Sequence, residues 1–140
     1  MVEKIFAVIL ALLGPAPAGW PKELQLKQGE SIVAIGDSIT QQGAGRATGY
    51  VRLVIRGLEA NGVQVKAIPA GISGHKSNDM LARLQKDVLD KKPTWMTLSC
   101  GVNDVWHGAR GVPLPQYQTN ITAIVEKAQA SGVQVMILTS

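Results

Sequence analysis

Ser31-Ile-Val-Ala-Ile-Gly-Asp-Ser-Ile-Thr40 is the stretch that decides the fold. Ile32 to Ile35 form a continuous apolar run without polar alternation, and Gly36 ends it. A short run of that kind suits a strand covered on both faces, the situation of a parallel sheet between two layers of helices. Asp37 and Ser38 follow at once, so a hydroxyl lies just beyond the carboxyl end of the expected strand.

Downstream the pattern repeats. Val51, Val54, Ile55 and Leu58 recur at helical spacing, and Asn61-Gly62 stops that helix. Residues 63–68 are expected as a second strand, stopped by Pro69. Ser77 is the expected N-cap of a helix presenting Met80, Leu81, Leu84 and Val88, with Asp79 in its first turn. Residues 95–99 are expected as a third strand, between Pro93 and Gly101. Pro115 fits the first turn of a further helix with Tyr117, Ile121, Ile124, Val125 and Ala128 on one stripe, and residues 133–138 are expected as a fourth strand. Asn61-Gly-Val-Gln-Val65 and Ser131-Gly-Val-Gln-Val135 are near copies; both are glycine helix stops leading into a strand. Strands alternating with helices in this way imply an α/β fold with an open parallel sheet.

Composition bounds the function. The 140 residues suffice for one domain, with 46% hydrophobic and 17% charged side chains. The net charge of +4 comes from fourteen scattered Lys and Arg, with Lys91-Lys92 the one adjacent pair, and no aromatic side chain interleaves with a basic run. Nucleic-acid binding is not expected. The single cysteine, Cys100, excludes an internal disulfide, and no Cys/His spacing fits a metal site. Lys4, the apolar run Ile5 to Leu13, the Gly14-Pro15 break and Ala16-Pro17-Ala18 have the order of a secretory signal peptide. Residues 1–18 are therefore read as a signal peptide and 19–140 as the domain, secreted or periplasmic; without cleavage the location would be cytoplasmic. The apolar run is too short for a stable membrane span.

In an open parallel sheet, chemistry sits beyond the carboxyl ends of the strands. Three loops lie there. Gly36-Asp37-Ser38 presents a serine that is either a nucleophile or a turn and N-cap residue. Ala70-Gly71-Ile72-Ser73-Gly74-His75 has glycines that let a backbone N–H approach a ligand. Cys100-Gly101-Val102-Asn103-Asp104 offers a neutral amide donor.

Taken in order, Gly36-Asp37-Ser38, Gly71-Ile72-Ser73-Gly74 and Gly101-Val102-Asn103-Asp104 resemble the first three conserved blocks of the SGNH (GDSL-type) hydrolases, and the resemblance runs from about residue 30 to 140. It implies a flavodoxin-like three-layer α/β/α fold and a serine esterase acting on acyl esters through an acyl-enzyme, without metal or organic cofactor. By position it makes Ser38 the nucleophile, with an oxyanion hole from the backbone N–H groups of Ser38 and Gly74 and the side-chain amide of Asn103. Its substrates are small-molecule or carbohydrate esters, O-acetyl groups among them.

The family's last block, an Asp-x-x-His near the C-terminus, has no counterpart between the expected fourth strand and Ser140, so no triad histidine or orienting acid is assigned. The expectation is a C-terminally truncated member, inactive by itself; the alternative is a non-catalytic protein that keeps the pocket for binding. His107, four residues after Asn103, and Trp106 are candidates to line the substrate cleft, and His107 and His75 are the histidines open to consideration as a substitute base. Trp106 is equally read as a packing residue. Asp37 and Asp104 are expected to make loop hydrogen bonds and Cys100 to be inert. Gly74-His75-Lys76-Ser77 and the glycines of residues 43–49 echo phosphate and dinucleotide loops, but their spacing is wrong for either.

Overall fold

The structure, a computed structural model, describes residues 25–139. The expected signal segment, residues 1–18, lies outside the described residues. Four strands, β1 (Ser31–Gly36), β2 (Lys66–Gly71), β3 (Trp95–Ser99) and β4 (Gln134–Leu138), form one sheet in the order β2-β1-β3-β4, with every pair parallel. The helices are α1 (Ser38–Gly45), α2 (Tyr50–Ala60), α3 (Ser77–Asp87), α4 (Val102–Trp106) and α5 (Leu114–Ala130), with short 3-10 turns at Leu89–Lys91 and Gly108–Arg110.

The two faces of β1 separate the layers. Val33 and Ile35 point into the larger core with Met96 and Leu98 of β3, Met80 and Leu84 of α3, and Ile124 and Ala128 of α5. Ala34 points the other way, to Ala44 of α1 and Val51 of α2. The result is the three-layer α/β/α arrangement with a flavodoxin-like strand order. The strand order reverses between β1 and β3, and ligand sites of such sheets lie in the crevice at that reversal.

Three local expectations are corrected. The second strand begins at Lys66, not residue 63, because Val63 N–H bonds back to Leu58 O at 2.9 Å to close α2. Pro69 lies inside it, opposite Ala34, because β2 is an edge strand with no neighbour to miss the absent N–H. Ser77 is the first residue of α3 and not its cap; Lys76 is the cap, and its N–H donates to Asp79 Oδ2 at 2.9 Å. In α2, Val51 and Leu58 are buried, whereas Val54 is half exposed.

Close packing fixes the carboxyl edge. A side chain at Gly36 would run into the Thr40 hydroxyl, and one at Gly71 into the backbone nitrogen of Gln41. Gly57, in the exposed middle of α2, has open space at its Cβ position. Gly71→Ala should therefore lower unfolding free energy by about 2 kcal/mol through overpacking against backbone. Gly57→Ala should raise it by about 1 kcal/mol through helix propensity. Urea unfolding of both variants checks the pair, and equal shifts would contradict the packing of β2 on α1.

Candidate active site

Ser38 opens α1. Its cap is Asp37, a buried residue whose Oδ1 accepts the Ile39 N–H at 2.9 Å. The expected N-cap alternative for Ser38 falls instead to Asp37, and Ser38 is the first helical residue. Helix geometry leaves the N–H of Ser38, the first helical residue, without an intrahelical acceptor. The half-buried Ser38 thus sits at the positive end of a helix dipole.

The second loop leans on the first. Ile72 N–H donates to Gly36 O at 3.0 Å, and Ser73 N–H to Gln41 Oε1 at 2.9 Å. Gly74 has φ +78, a left-handed conformation that favours glycine, and nothing crowds its Cβ position. Its exposed N–H has no acceptor among the described residues.

Arg83 of α3 joins the strand ends beneath these loops. Its Nη2 donates to Gly36 O at 3.0 Å and its Nη1 to Ala70 O at 2.7 Å. Nη1 also meets Asp87 Oδ2 at 2.9 Å, and the side chain is only 10% exposed. Sequence reading missed Arg83; its one signal was an arginine on the helix face that also carries Met80 and Leu84.

The third loop closes the group. Asn103, in α4, donates Nδ2–H to His75 O at 3.1 Å, which leaves the second amide hydrogen for a ligand. Asp104 is buried and accepts from Ser77 N at 3.0 Å, from the Ser77 hydroxyl and from Cys100 Sγ at 3.6 Å. Burial first, then the Asp104 carboxylate, pushes the Cys100 thiol up to about 12. Tyr117 OH donates to Cys100 O at 3.1 Å, and burial raises its phenol above the usual range.

The structure therefore brings Ser38, Gly74 and Asn103 onto three hydrogen-bonded loops at one sheet edge. The other candidates fall elsewhere. Trp106 is 81% exposed and lines a cleft of about 750 Å³ with Val105, Leu114, Tyr117 and Leu138. Cys100, Gly101, Val102 and Asp104 of the third loop also line it, whereas Ser38, Gly74, Asn103 and His107 do not. His107 is the C-cap of α4, and His75 Nδ1 is buried without a partner.

Residues 34–140 match the GDSL-like lipase/acylhydrolase family. The chain belongs to that family. It is 33% identical over 110 residues to esterase TesA of Pseudomonas aeruginosa, covering 78% of this chain and 53% of that protein. To an acetylxylan esterase of Geobacillus stearothermophilus it is 31% identical over 121 residues, covering 73% and 55%. The crystal structure of a catalytic histidine-to-alanine mutant of Axe2, an acetylxylan esterase from Geobacillus stearothermophilus, superposes with TM-score 0.73 and 29% identity over 81% of this chain and 61% of that one. Companion structures are catalytic mutants with a serine or an aspartate replaced by alanine. The chain spans about half the length of the curated relatives it matches.

The raised Cys100 thiol gives a direct check of the site's floor. With its pKa near 12, the thiol stays protonated at pH 8, where an ordinary cysteine is substantially ionised. Iodoacetamide should label it more than about a hundredfold slower than free cysteine. Labelling of folded protein at the free rate would mean that Cys100 is not buried beside Asp104 as described.

Proposed function

We propose that this chain carries the nucleophile and oxyanion hole of a serine ester hydrolase acting on acyl esters, with carbohydrate O-acetyl groups as the substrate class. The observation that carries this reading is the set of three uncommitted hydrogens on adjoining loops: Ser38 N–H, Gly74 N–H and the second Asn103 amide hydrogen. Ser38 Oγ attacks the ester carbonyl, and the carbonyl oxygen takes the negative charge. Fixed neutral donors stabilise that charge without moving as it forms. Collapse of the tetrahedral species expels the alcohol, whose oxygen takes up the proton lost by Ser38, and leaves the acyl group on Ser38; water then attacks the acyl carbonyl, releasing the carboxylic acid and returning a proton to the serine oxygen.

Serine needs an adjacent base to react at neutral pH. No histidine side chain is hydrogen-bonded to Ser38 among the described residues, and the role is assigned to neither His75 nor His107. The serine, aspartate and histidine that the Axe2 catalytic mutants replace support a Ser-His-Asp mechanism for the whole protein. The acetylxylan esterase relatives support the acetyl and carbohydrate preference. Among the described residues no helix is long and apolar enough to cross a membrane.

Ser38→Ala should abolish p-nitrophenyl acetate hydrolysis and fluorophosphonate labelling in the protein as its gene encodes it. Asn103→Ala should lower kcat by about 10²–10³ with KM little changed, because the lost bond strengthens in the transition state. Full labelling of the Ser38→Ala variant would remove Ser38 from the mechanism. A raised KM with unchanged kcat would make Asn103 a ground-state contact.

Export belongs to the same proposal and rests on the Ile5–Leu13 run and Ala16-Pro17-Ala18. In a secreting host, mass spectrometry should find a mature amino terminus at Gly19; intact Met1 or Val2 on folded protein would overturn it.

A further inference from the structure

Ser77, Asp104 and Asn120 are 0%, 4% and 2% exposed, and none of them takes part in the ester chemistry above. They form one directed chain. Gln116 Nε2 donates to Asn120 Oδ1 at 2.8 Å, and Asn120 Nδ2 donates to Ser77 Oγ at 3.0 Å. The Ser77 hydroxyl, already accepting from Asn120, sends its proton to Asp104 Oδ1 at 2.5 Å. The Ser77 N–H adds bonds of 3.0 and 3.2 Å to the two carboxylate oxygens. A buried carboxylate with several donors is held far more firmly than an exposed one.

The placement of this chain gives it a consequence for the site. Asp104 directly follows Asn103, and Ser77 follows Gly74 by three residues. The segment from Gly74 to Ser77 is thus tied to α4 twice: His75 O to the Asn103 amide, and Ser77 to Asp104. One tie sets a distance; two set an orientation as well. Without the second tie, α4, five residues long and preceded by Gly101 at φ +136, keeps the Val112 N–H bond to Asp104 O at 3.0 Å but is held to the Gly74–Ser77 segment by the Asn103 amide alone.

We propose that Asp104 and Ser77 are positioning residues that fix the Asn103 amide relative to the Gly74 N–H. The proposal rests on the reading of those two groups as oxyanion donors. Misplacing a donor by about 1 Å costs up to about 10² in rate, so a partial loosening should cost about 10-fold.

The test is a double-mutant cycle in the protein as its gene encodes it, joined to an NMR measurement that needs no turnover. Ser77→Ala should lower kcat for p-nitrophenyl acetate about 10-fold with KM within about twofold. In an Asn103→Ala background the same change should lower kcat less than about twofold, because the residue it acts through is gone. In ¹⁵N-labelled protein, the Asn103 side-chain amide pair, identified by its disappearance in Asn103→Ala, should shift or broaden in Ser77→Ala. Asp104→Asn, of equal volume, should move the same resonances and serves if Ser77→Ala does not fold. Equal kcat losses in both backgrounds would overturn the proposal, and so would an Asn103 amide pair unmoved in either variant. Unchanged kcat in Asn103→Ala alone would instead sink the oxyanion reading, and the proposal with it.

Discussion

The carbonyl oxygen of Gly36 accepts two hydrogen bonds, one from the Ile72 N–H and one from the Arg83 guanidinium, and the first two loops take their places from it. It is the last carbonyl of the central strand, one residue before Asp37-Ser38. The Ile72 bond holds the second loop against the first. The Arg83 bond fixes both strand ends to α3, because the same planar fork also reaches Ala70 O. A lysine could not span two carbonyls in one plane, so the arginine is specific to this task. The cation is stabilised by Asp87 as well as by the two carbonyls, and removing one partner of such a buried arrangement strands the others.

Polar ties of this kind need a rigid base, and the two faces of the sheet do not supply it equally. The larger core joins β1 and β3 to α3 and α5 through Val33, Ile35, Met80, Leu84, Met96, Leu98, Ile124 and Ala128. Arg83 and Ser77 lie on α3, and Asn120 and Tyr117 on α5, so these ties to the loops start from the well-packed face, whereas Thr40 is bonded to Tyr50 of α2 at 2.9 Å on the other. The opposite face is smaller, and at the far edge Met136 and Ile137 of β4 are exposed. Apolar packing thus fixes the helices, and the helices fix the donors. Ser38 itself sits at a helix N-terminus, while the charged Arg83 and Asp104 are bonded to backbone and hydroxyl.

Much of this was legible in the chain itself. The unbroken run Ile32–Ile35, the helix stops at Asn61-Gly62 and Ser131-Gly132, and the regular spacing of apolar stripes determined the parallel α/β sandwich, because strand and helix periodicities are local properties. The order of the three glycine-bearing loops likewise determined the GDSL-like family. Local signals failed where neighbours overrode them. Pro69 reads as a strand terminator, yet it sits within β2 because that strand lies at the sheet edge. Gly36–Thr40 reads as a loop, yet Ser38 to Thr40 are helical because Asp37 caps the helix and the close approach of Gly71 packs it against β2.

The polar ties belonged to the tertiary structure alone. Ser77 reads as an N-cap, Asn120 as one more polar residue on an amphipathic helix, Arg83 as an ordinary charge, and Asp104 as a loop hydrogen-bonding residue whose partner the sequence does not name. Their partners lie 43 residues away for Asn120 and Ser77, 47 for Arg83 and Gly36, and 27 for Ser77 and Asp104. A hydrogen bond over such separations leaves no periodicity or spacing in the sequence. It exists only once the sheet has aligned its carboxyl ends, so the sequence could name candidate donors but not what holds their loops in place.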